Sequence, residues 1–349
     1  IGVVCFNKRL GFLNGREDED PEALEFLQAS TDAFAMLHKS FSGDLGYIFY
    51  RNKTYRTYEH ALNVISRFTR KHLLQAKQLL DTRLKEGTLN RDEPNLLLSL
   101  FSDDTLQEDH VIQVVESLYS GGTDSTAGAV QALFFNMAKH PDKQEKLRQE
   151  VTSLCPLGQP ISPDVLNKMH YLRACVKESF RLLYPSNGTL RILPSDVVLS
   201  GYRVPAGSRI LMCNTLTCEN AFDDPDEYIP ERWMRSADGS RTHDIPKMAV
   251  LPFGYGPRNC VGRRFAEQEV YLAAIKVLQR LRIGLEPESL NTPFVFRIFR
   301  QPATPWPSPL LDSTGTWQRD FHSTDFLYIS STIYFLVCQR PNKGVPTAP

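Results

Sequence analysis

The ten residues Phe253-Gly254-Tyr255-Gly256-Pro257-Arg258-Asn259-Cys260-Val261-Gly262 are the most informative part of this chain. The three glycines let the backbone adopt positive φ and approach a flat ligand closely. Cys260 lies just before a predicted helix, so backbone N–H groups and the positive end of the helix dipole face its sulfur and favour the thiolate. Arg258, two residues upstream, is placed to pair with a carboxylate of the same ligand.

A thiolate, glycines that admit a flat molecule and an arginine for its acid group are what a haem requires of the loop beneath it. The alternative is a buried structural cysteine in a glycine-rich turn, which is the usual interpretation of a lone cysteine. Here six specified residue types fall at fixed offsets, and this argues strongly against chance. The loop is therefore interpreted as a haem-binding loop.

This loop resembles the proximal haem loop of the cytochrome P450 family, F-G-x-G-x-R-x-C-x-G, at every specified position. The resemblance implies that the cofactor is haem b and that the thiolate of Cys260 is its axial iron ligand. It also implies that Phe253, Gly254, Arg258 and Gly262 contribute to haem binding. A thiolate ligand pushes electron density toward the iron and favours cleavage of a bound O–O bond.

The activity implied by the resemblance is that of a haem-thiolate monooxygenase, which inserts one atom of dioxygen into a lipophilic substrate such as a steroid or sterol. The alternative is a truncated or non-catalytic haem-binding protein, in which the same motifs persist but no substrate pocket closes. A third hypothesis keeps the haem but rearranges an already oxidised substrate. Family members of that kind commonly lack the acid and alcohol pair described below.

Composition agrees with an ordinary globular protein. The 349 residues include 42% hydrophobic and 23% charged residues, and Lys+Arg 40 balance Asp+Glu 40. A disordered chain and a disulfide-dense scaffold are thereby excluded. A formal net charge of zero gives no overall electrostatic signal for nucleic acid. The seven cysteines have neither metal-finger nor disulfide-framework spacing, which favours a reducing compartment.

Hydrophobic periodicity predicts a mostly α protein with a minor β part, which by resemblance is a cytochrome P450 fold that is incomplete at the N-terminus. Residues 1–302 are assigned to this fold. Residues 303–349 are predicted to be an atypical tail, a candidate for disorder, because they show no clear period. Helices are predicted at about 22–45, 57–84, 105–139, 142–154, 163–184 and 260–281, and a small β meander at about 190–215.

The longest predicted helix has a sequence signal at each end. Thr105 and Glu108 are spaced as a capping box at its start. At its other end, His140-Pro141 stops the helix because proline cannot continue the hydrogen-bond ladder. At 1.5 Å per residue such a helix is roughly 50 Å long, enough to cross a domain.

The middle of this helix reads Ser120-Gly-Gly-Thr-Asp-Ser-Thr126. Two adjacent glycines cost about 2 kcal/mol of helix propensity, so a purely structural explanation is strained. Gly121 and Gly122 instead remove side chains where dioxygen must sit over the iron. The run matches the family pattern A/G-G-x-D/E-T-T/S.

By this match Asp124, Ser125 and Thr126 are the predicted catalytic residues. An acid and an alcohol beside the glycine gap can relay the protons that O–O cleavage consumes. The departure from the pattern is Ser125, where threonine is usual. A serine keeps the hydroxyl but restrains its rotamer less, and this bears on coupling efficiency more than on reaction type.

Two further motifs concern the surroundings of the haem. Glu178 and Arg181 are three residues apart on a predicted helix and can pair. With Arg232 of the segment Pro230-Glu-Arg-Trp233, they match a buried structural network of the family. Arg191 matches a position where family members place an arginine on a haem propionate, although an exposed strand arginine is the alternative.

Basic residues on the cysteine side suggest how electrons arrive. Arg173 and Lys177 are four residues apart on one predicted helix, and Arg263 and Arg264 follow the cysteine loop. A solvated basic face is the alternative. The segment 260–267 resembles the animal mitochondrial clan of the family, whose basic positions receive an acidic, adrenodoxin-like ferredoxin.

The resemblance also implies a location, on the matrix side of the mitochondrial inner membrane, with peripheral membrane association. The chain begins with Ile1, and we interpret it as lacking its targeting segment. No apolar run reaches the length that a membrane span needs. The expected partners are thus a ferredoxin, dioxygen and a lipophilic small molecule, and no nucleic acid.

Overall fold

The computed structural model describes residues 1–10, 21–41, 46, 49–88, 95–183, 186, 188–213, 221–235, 245–246, 248–285, 294–296, 300–302 and 337–339. It divides into two compact units, one ending at Ala127 and the other beginning at Gly128. Helices dominate and the strands are short, so the predicted mostly α class with a minor β part is confirmed. Within the described residues, no helix is both long and apolar enough to span a membrane.

The first unit is helical. It contains α1 Gly2–Phe6, α2 Pro21–Phe41, α3 Lys53–Lys85, α4 Leu96–Phe101 and the first part of α5 Glu108–Lys139. The side chain of Asn52 caps α3 by accepting a hydrogen bond from the N–H of Tyr55 at 2.8 Å. Predicted and observed bounds of α2 and α3 differ by four residues or fewer.

Aromatic rings form the centre of this unit. Phe26 stacks on Phe68 with ring centroids 4.3 Å apart, and Tyr119 meets Phe26 edge-on at 4.8 Å. Phe6 adds an edge contact with Phe68 at 6.1 Å. All four residues are buried, so one cluster joins α1, α2, α3 and α5.

The predicted capping box of the long helix is wrong. Both the N–H and the hydroxyl of Thr105 donate to Oδ1 of Asp103, at 2.9 and 2.6 Å, and these bonds lower the pKa of Asp103. The helix begins only at Glu108, with the N–H of His110 bonded to the carbonyl of Gln107. Thr105 therefore belongs to a local turn that competes with the helix for the same groups.

Among the described residues, the second unit contains the end of α5, α6 Pro141–Leu154, α7 Pro163–Lys168, α8 His170–Leu182, a 3₁₀ turn at Pro230–Trp233, and α9 Arg263–Leu278. Pro141 occupies the first position of α6, as its missing N–H allows. The single helix predicted over 163–184 is instead two helices. They are separated at Met169, where ψ is 78°.

The break at Met169 has a clear cause. The carboxylate of Glu150, on α6, accepts hydrogen bonds from the N–H groups of Tyr171 and Leu172, both at 2.8 Å. These are free donors only where a helix starts. A side chain from another helix therefore sets the start of α8.

The strands pair in twos. They are β1 Gly188–Ile192, β2 Val197–Leu199, β3 Tyr202–Val204, β4 Arg209–Cys213, β5 Arg282–Gly284, β6 Phe294–Phe296, β7 Arg300–Pro302 and β8 Val337–Gln339. The pairs β1–β4, β2–β3, β5–β8 and β6–β7 are all antiparallel. The predicted meander is thus a nested arrangement, with the β2–β3 hairpin inserted between β1 and β4. Positive φ at Ser200 and Gly201 closes that hairpin.

The predicted tail, residues 303–349, lies outside the described residues except for β8. Residues Val337 to Gln339 pair with β5, with Cys338 opposite Ile283. This pairing is not predictable from the local pattern, because three residues are too few to show a strand period.

Candidate functional site

The cysteine loop is closed by its own backbone. The N–H of Cys260 donates to the carbonyl oxygen of Phe253 at 2.8 Å, and the N–H of Asn259 donates to the carbonyl oxygen of Gly256 at 3.0 Å. Gly254 and Gly256 have φ of 72° and 81°, a region that favours glycine. Two of the three motif glycines are therefore required by the path of the loop itself.

Cys260 is exposed, whereas Cys5, Cys155 and Cys175 are buried and Cys213 is half-buried. A Cβ built at Gly262 would lie 3.9 Å from its Sγ, which is an ordinary van der Waals contact. A buried structural cysteine, the alternative interpretation, does not describe this residue. An exposed thiol on a glycine-rich loop fits the axial ligand of a haem.

Phe253 is held from two sides. Its ring meets Phe180 of α8 edge-on, with centroids 5.7 Å apart and an interplanar angle of 84°. The guanidinium carbon of Arg263, the first residue of α9, lies 5.3 Å from the ring centroid. The aromatic residue that opens the loop is therefore packed against both helices.

The predicted pairing of Glu178, Arg181 and Arg232 is confirmed, and all three are buried. Arg181 donates to the carboxylate of Glu178 through Nε at 3.0 Å and Nη2 at 2.9 Å. Arg232 Nε donates to the same carboxylate at 3.3 Å. The indole of Trp233 at 2.8 Å and the N–H of Ile229 at 2.9 Å complete five hydrogen bonds to Glu178.

Further donors of the two guanidiniums bind backbone carbonyls of the loop before the 3₁₀ turn. Arg181 donates to the carbonyls of Pro225 and Glu227, and Arg232 donates to that of Asp224 at 2.7 Å. A buried charge is tolerated when it is both paired and hydrogen-bonded. Both conditions are met here, so the network fixes the 3₁₀ turn on α8.

Neighbouring Glu231 faces outward from this network. Its carboxylate contacts Nζ of Lys146 at 2.8 Å, Nζ of Lys143 at 3.3 Å and the hydroxyl of Tyr171 at 3.1 Å. Burial opposes ionisation, but the hydrogen bond from Lys146 and the two lysine charges lower the pKa of Glu231 to about 2. The 3₁₀ turn is thereby also attached to α6, which the sequence did not predict.

The glycine segment of α5 lies in the first unit. A Cβ at Gly122 would collide with Cδ1 of Ile1, whereas no described heavy atom lies within 4 Å of a Cβ built at Gly121. The hydroxyl of Ser125 donates to the carbonyl of Gly121 at 2.7 Å. Among the described residues, there is therefore room for a Cβ at Gly121 but not at Gly122.

Asp124 and Thr126 are both partly buried. Burial raises the pKa of Asp124 to about 6. A carboxyl group that titrates near neutral pH is suited to taking up and releasing protons. The predicted catalytic roles of Asp124, Ser125 and Thr126 stay predictions.

Arg191 and Arg258, the predicted propionate partners, are both exposed. Arg191 lies on β1, and its Nη1 donates to the carbonyl of the preceding residue at 2.8 Å. Side chains placed in this way are accessible to an anionic ligand.

The predicted basic surface spans α8 and α9. The charges of Arg173 and Arg263 both act on the hydroxyl of Tyr271, whose pKa is raised to about 12 by burial and by the charge of Glu267. Lys177 and Arg264 are exposed. Arg263 Nε lies 3.0 Å from Glu267 Oε1, so this guanidinium already has a partner within the chain.

A mostly helical protein with an exposed cysteine on such a loop, and a buried Glu-Arg-Arg network nearby, has the features of a haem-thiolate protein. The chain belongs to the cytochrome P450 family, because the family model "Cytochrome P450" matches residues 1–304. Proteins of this family bind haem through a cysteine thiolate.

Its similar relatives include insect proteins named as mitochondrial. It is 30% identical over 318 residues to "Probable cytochrome P450 12d1 distal, mitochondrial" of Drosophila melanogaster, covering 89% of this chain and 59% of the relative. It is 32% identical over 320 residues to "Probable cytochrome P450 12c1, mitochondrial" of the same organism, covering 87% and 59%. The chain thus spans about 59% of the length of these relatives.

Among solved structures, the chain is similar to a zebra fish cytochrome P450 with progesterone. The TM-score is 0.66 and the identity 22%, covering 86% of this chain and 67% of that one. This similarity establishes the fold, and the predicted cytochrome P450 fold is confirmed.

Removing the carboxylate at the centre of the network should be severely destabilising. Glu178→Ala leaves two buried guanidiniums without their anion, and we expect the free energy of unfolding to fall by about 3–5 kcal/mol. Urea denaturation measures this. Glu145→Ala on α6 removes only an exposed ion pair with Arg282 and should cost less than about 1 kcal/mol. Equal losses in the two variants would contradict the role of the network.

Asp124 should make stability depend on pH. Between the unfolded pKa of 3.8 and the folded pKa of about 6, only the folded state holds the proton, so stability falls as pH rises through this range. The change that Asp124→Asn makes in the free energy of unfolding should depend on pH. It should be about 2–3 kcal/mol more stabilising above pH 6 than at pH 4. Ser125→Ala, which removes no ionisable group, is the control. A pH-independent effect of Asp124→Asn would contradict the shift.

Proposed function

We propose that this protein is a haem-thiolate monooxygenase that inserts one atom of dioxygen into a lipophilic substrate, with steroids and sterols among the candidates. The observation that carries the proposal is the exposed Cys260 on a loop closed by the hydrogen bond from its N–H to Phe253. When bound, haem supplies the redox centre at which dioxygen is activated.

The residues proposed to hold haem b follow from the loop. Cys260 would supply the thiolate that binds the iron. The carbonyl of Phe253 accepts the N–H of Cys260, Gly254 provides a positive φ in the loop, and Gly262 is the N-cap of α9. Arg258 and Arg191 are exposed guanidiniums that can bind the acid groups of the cofactor.

Asp124 and Thr126, with Ser125, are proposed to deliver protons. Asp124 has the property this role needs, because its raised pKa lets both protonation states exist near neutral pH. The hydroxyl of Ser125 donates to the carbonyl of Gly121, a bond that both serine and threonine form within helices, as Thr123 does with the carbonyl of Tyr119.

An acidic, adrenodoxin-like ferredoxin is the proposed electron donor, and Arg173, Lys177 and Arg264 form its proposed docking surface. The insect relatives named as mitochondrial support this donor and a mitochondrial location. The matrix side of the inner membrane, with peripheral attachment, is the proposed position. Basic residues on α8 and α9 would steer an acidic partner even though the net charge is zero.

The role of Cys260 is tested by the carbon monoxide difference spectrum of the reduced protein produced with ample haem. The unmodified chain should show the strongly red-shifted band of a thiolate-ligated iron. Cys260→Ala should lose this band and all ferredoxin-driven oxygenation. Cys213→Ala, which changes a half-buried cysteine on β4, should keep both.

The outcomes separate the hypotheses. A haem-free unmodified chain, or retained turnover in Cys260→Ala, would refute the proposal. A thiolate band without oxygenation of any lipophilic substrate would favour the non-catalytic haem-binding alternative. Turnover that consumes no electrons from ferredoxin would favour rearrangement of an already oxidised substrate.

The proton role is tested by the coupling of electron consumption to product. Asp124→Asn should lower the oxygenation rate on the order of 10²-fold and release peroxide instead, with haem still bound. Ser125→Thr, which restores the residue usual in the family, should raise the yield of product per electron. Unchanged coupling in Asp124→Asn would remove the proposed relay.

A further inference from the structure

The first turn of α9 carries positive charge where a helix disfavours it. Arg263 and Arg264 follow the N-cap Gly262, which provides no side-chain hydrogen bond, and the turn contains no acidic residue. Because the N-terminal end of a helix dipole is positive, two arginines there oppose helix formation. We therefore looked for a role of these two arginines other than stabilising the helix.

The two arginines differ in what they contact. The guanidinium of Arg263 lies over the ring of Phe253, 5.3 Å from its centroid, and its Nε pairs with Glu267 one turn later at 3.0 Å. Arg264 is exposed, and within the described residues it has no recorded ring contact or ion pair. One arginine is thus directed toward the cysteine loop and the other toward solvent.

Phe253 links Arg263 to the cysteine. Its ring is enclosed by the guanidinium on one side and by the edge of Phe180 on another. Its carbonyl oxygen accepts the N–H of Cys260 at 2.8 Å. A shift of Phe253 that includes its backbone would therefore move the acceptor of the hydrogen bond that holds the backbone of Cys260.

We propose that Arg263 is a positioning residue for the cysteine loop and not a contact for the ferredoxin. Its guanidinium holds the ring of Phe253, Glu267 holds the guanidinium, and Phe253 in turn holds Cys260 in the orientation that binds iron. This inference rests on the proposed haem-thiolate function. Arg263 is thereby removed from the predicted ferredoxin contacts, whereas Arg173, Lys177 and Arg264 remain among them.

The planar guanidinium is the property that matters in this arrangement. It can stack on a ring and bind a carboxylate at the same time, whereas the ammonium of lysine is a compact point charge. Arg263→Lys therefore keeps the positive charge that a docking surface needs, but its ammonium cannot contact the ring of Phe253 and the carboxylate of Glu267 through one planar group. This substitution separates the two roles.

The experiment uses the haem-loaded full chain and the variants Arg263→Lys, Arg263→Ala and Glu267→Gln, with Arg264→Lys and Arg264→Ala as matched controls. Three quantities are measured: the rate of haem transfer to an excess of a haem-scavenging protein, the share of the red-shifted band in the carbon monoxide spectrum, and the dissociation constant for adrenodoxin at two salt concentrations.

Arg263→Lys and Arg263→Ala should both lose haem about two- to fivefold faster and shift part of the carbon monoxide spectrum from the thiolate band to a blue-shifted band. Glu267→Gln should do the same to a smaller extent. The affinity of Arg263→Lys for adrenodoxin should remain within about twofold of the unmodified protein. Arg264→Ala should keep its haem but bind adrenodoxin more weakly, with a smaller salt dependence.

Two results would overturn the inference. In the first, Arg263→Lys and Arg263→Ala leave the rate of haem transfer and the carbon monoxide spectrum unchanged, while Arg263→Ala binds adrenodoxin more weakly. Arg263 would then be a docking residue. Equal haem loss in the Arg263 and Arg264 variants would show a general effect of charge near α9. An unmodified chain without the thiolate band would instead remove the proposed function, and this inference with it.

Discussion

The buried carboxylate of Glu178 is the interaction on which the second unit depends. It pairs with two guanidiniums from different segments, one on α8 itself and one in the 3₁₀ turn at Pro230–Trp233. Ions in a low-dielectric interior are costly unless they are both paired and hydrogen-bonded. That requirement is met only when the loop from Asp224 to Trp233 lies against α8 in one register. The network therefore specifies the path of the chain at least as much as it contributes to stability.

The same helix supports the cysteine loop. Glu178 and Phe180 are two residues apart on α8, and both are buried. Glu178 organises the 3₁₀ turn, while Phe180 packs against Phe253 at the start of the loop. Because almost every residue from Tyr171 to Arg181 is buried, α8 is enclosed by other elements and is a rigid base for both. The proposed iron ligand and the ion network are in this way connected through one helix.

Local sequence patterns predicted several helix boundaries and the cysteine loop. Pro141 fixed the boundary between α5 and α6, and the glycine, arginine and cysteine offsets identified the loop. The failures involve partners that are distant in sequence. The break before α8 depends on Glu150, about 20 residues earlier, and the contact of Phe180 with Phe253 depends on packing. At Thr105, the hydroxyl binds Asp103 in a local turn and does not form the predicted capping box. A turn orders fewer residues than the first turn of a helix does.

Trp233 gives the ion network an optical reporter. Its indole donates a hydrogen bond of 2.8 Å to Glu178 and lies near the ammonium of Lys177, whose Nζ is 5.8 Å from the ring centroid. The chain has three tryptophans, and the other two, Trp306 and Trp317, fall in the stretch after residue 302. Indole emission responds to nearby charge and to water. A change in the fluorescence assigned to Trp233 therefore tracks the opening of this segment without an added label.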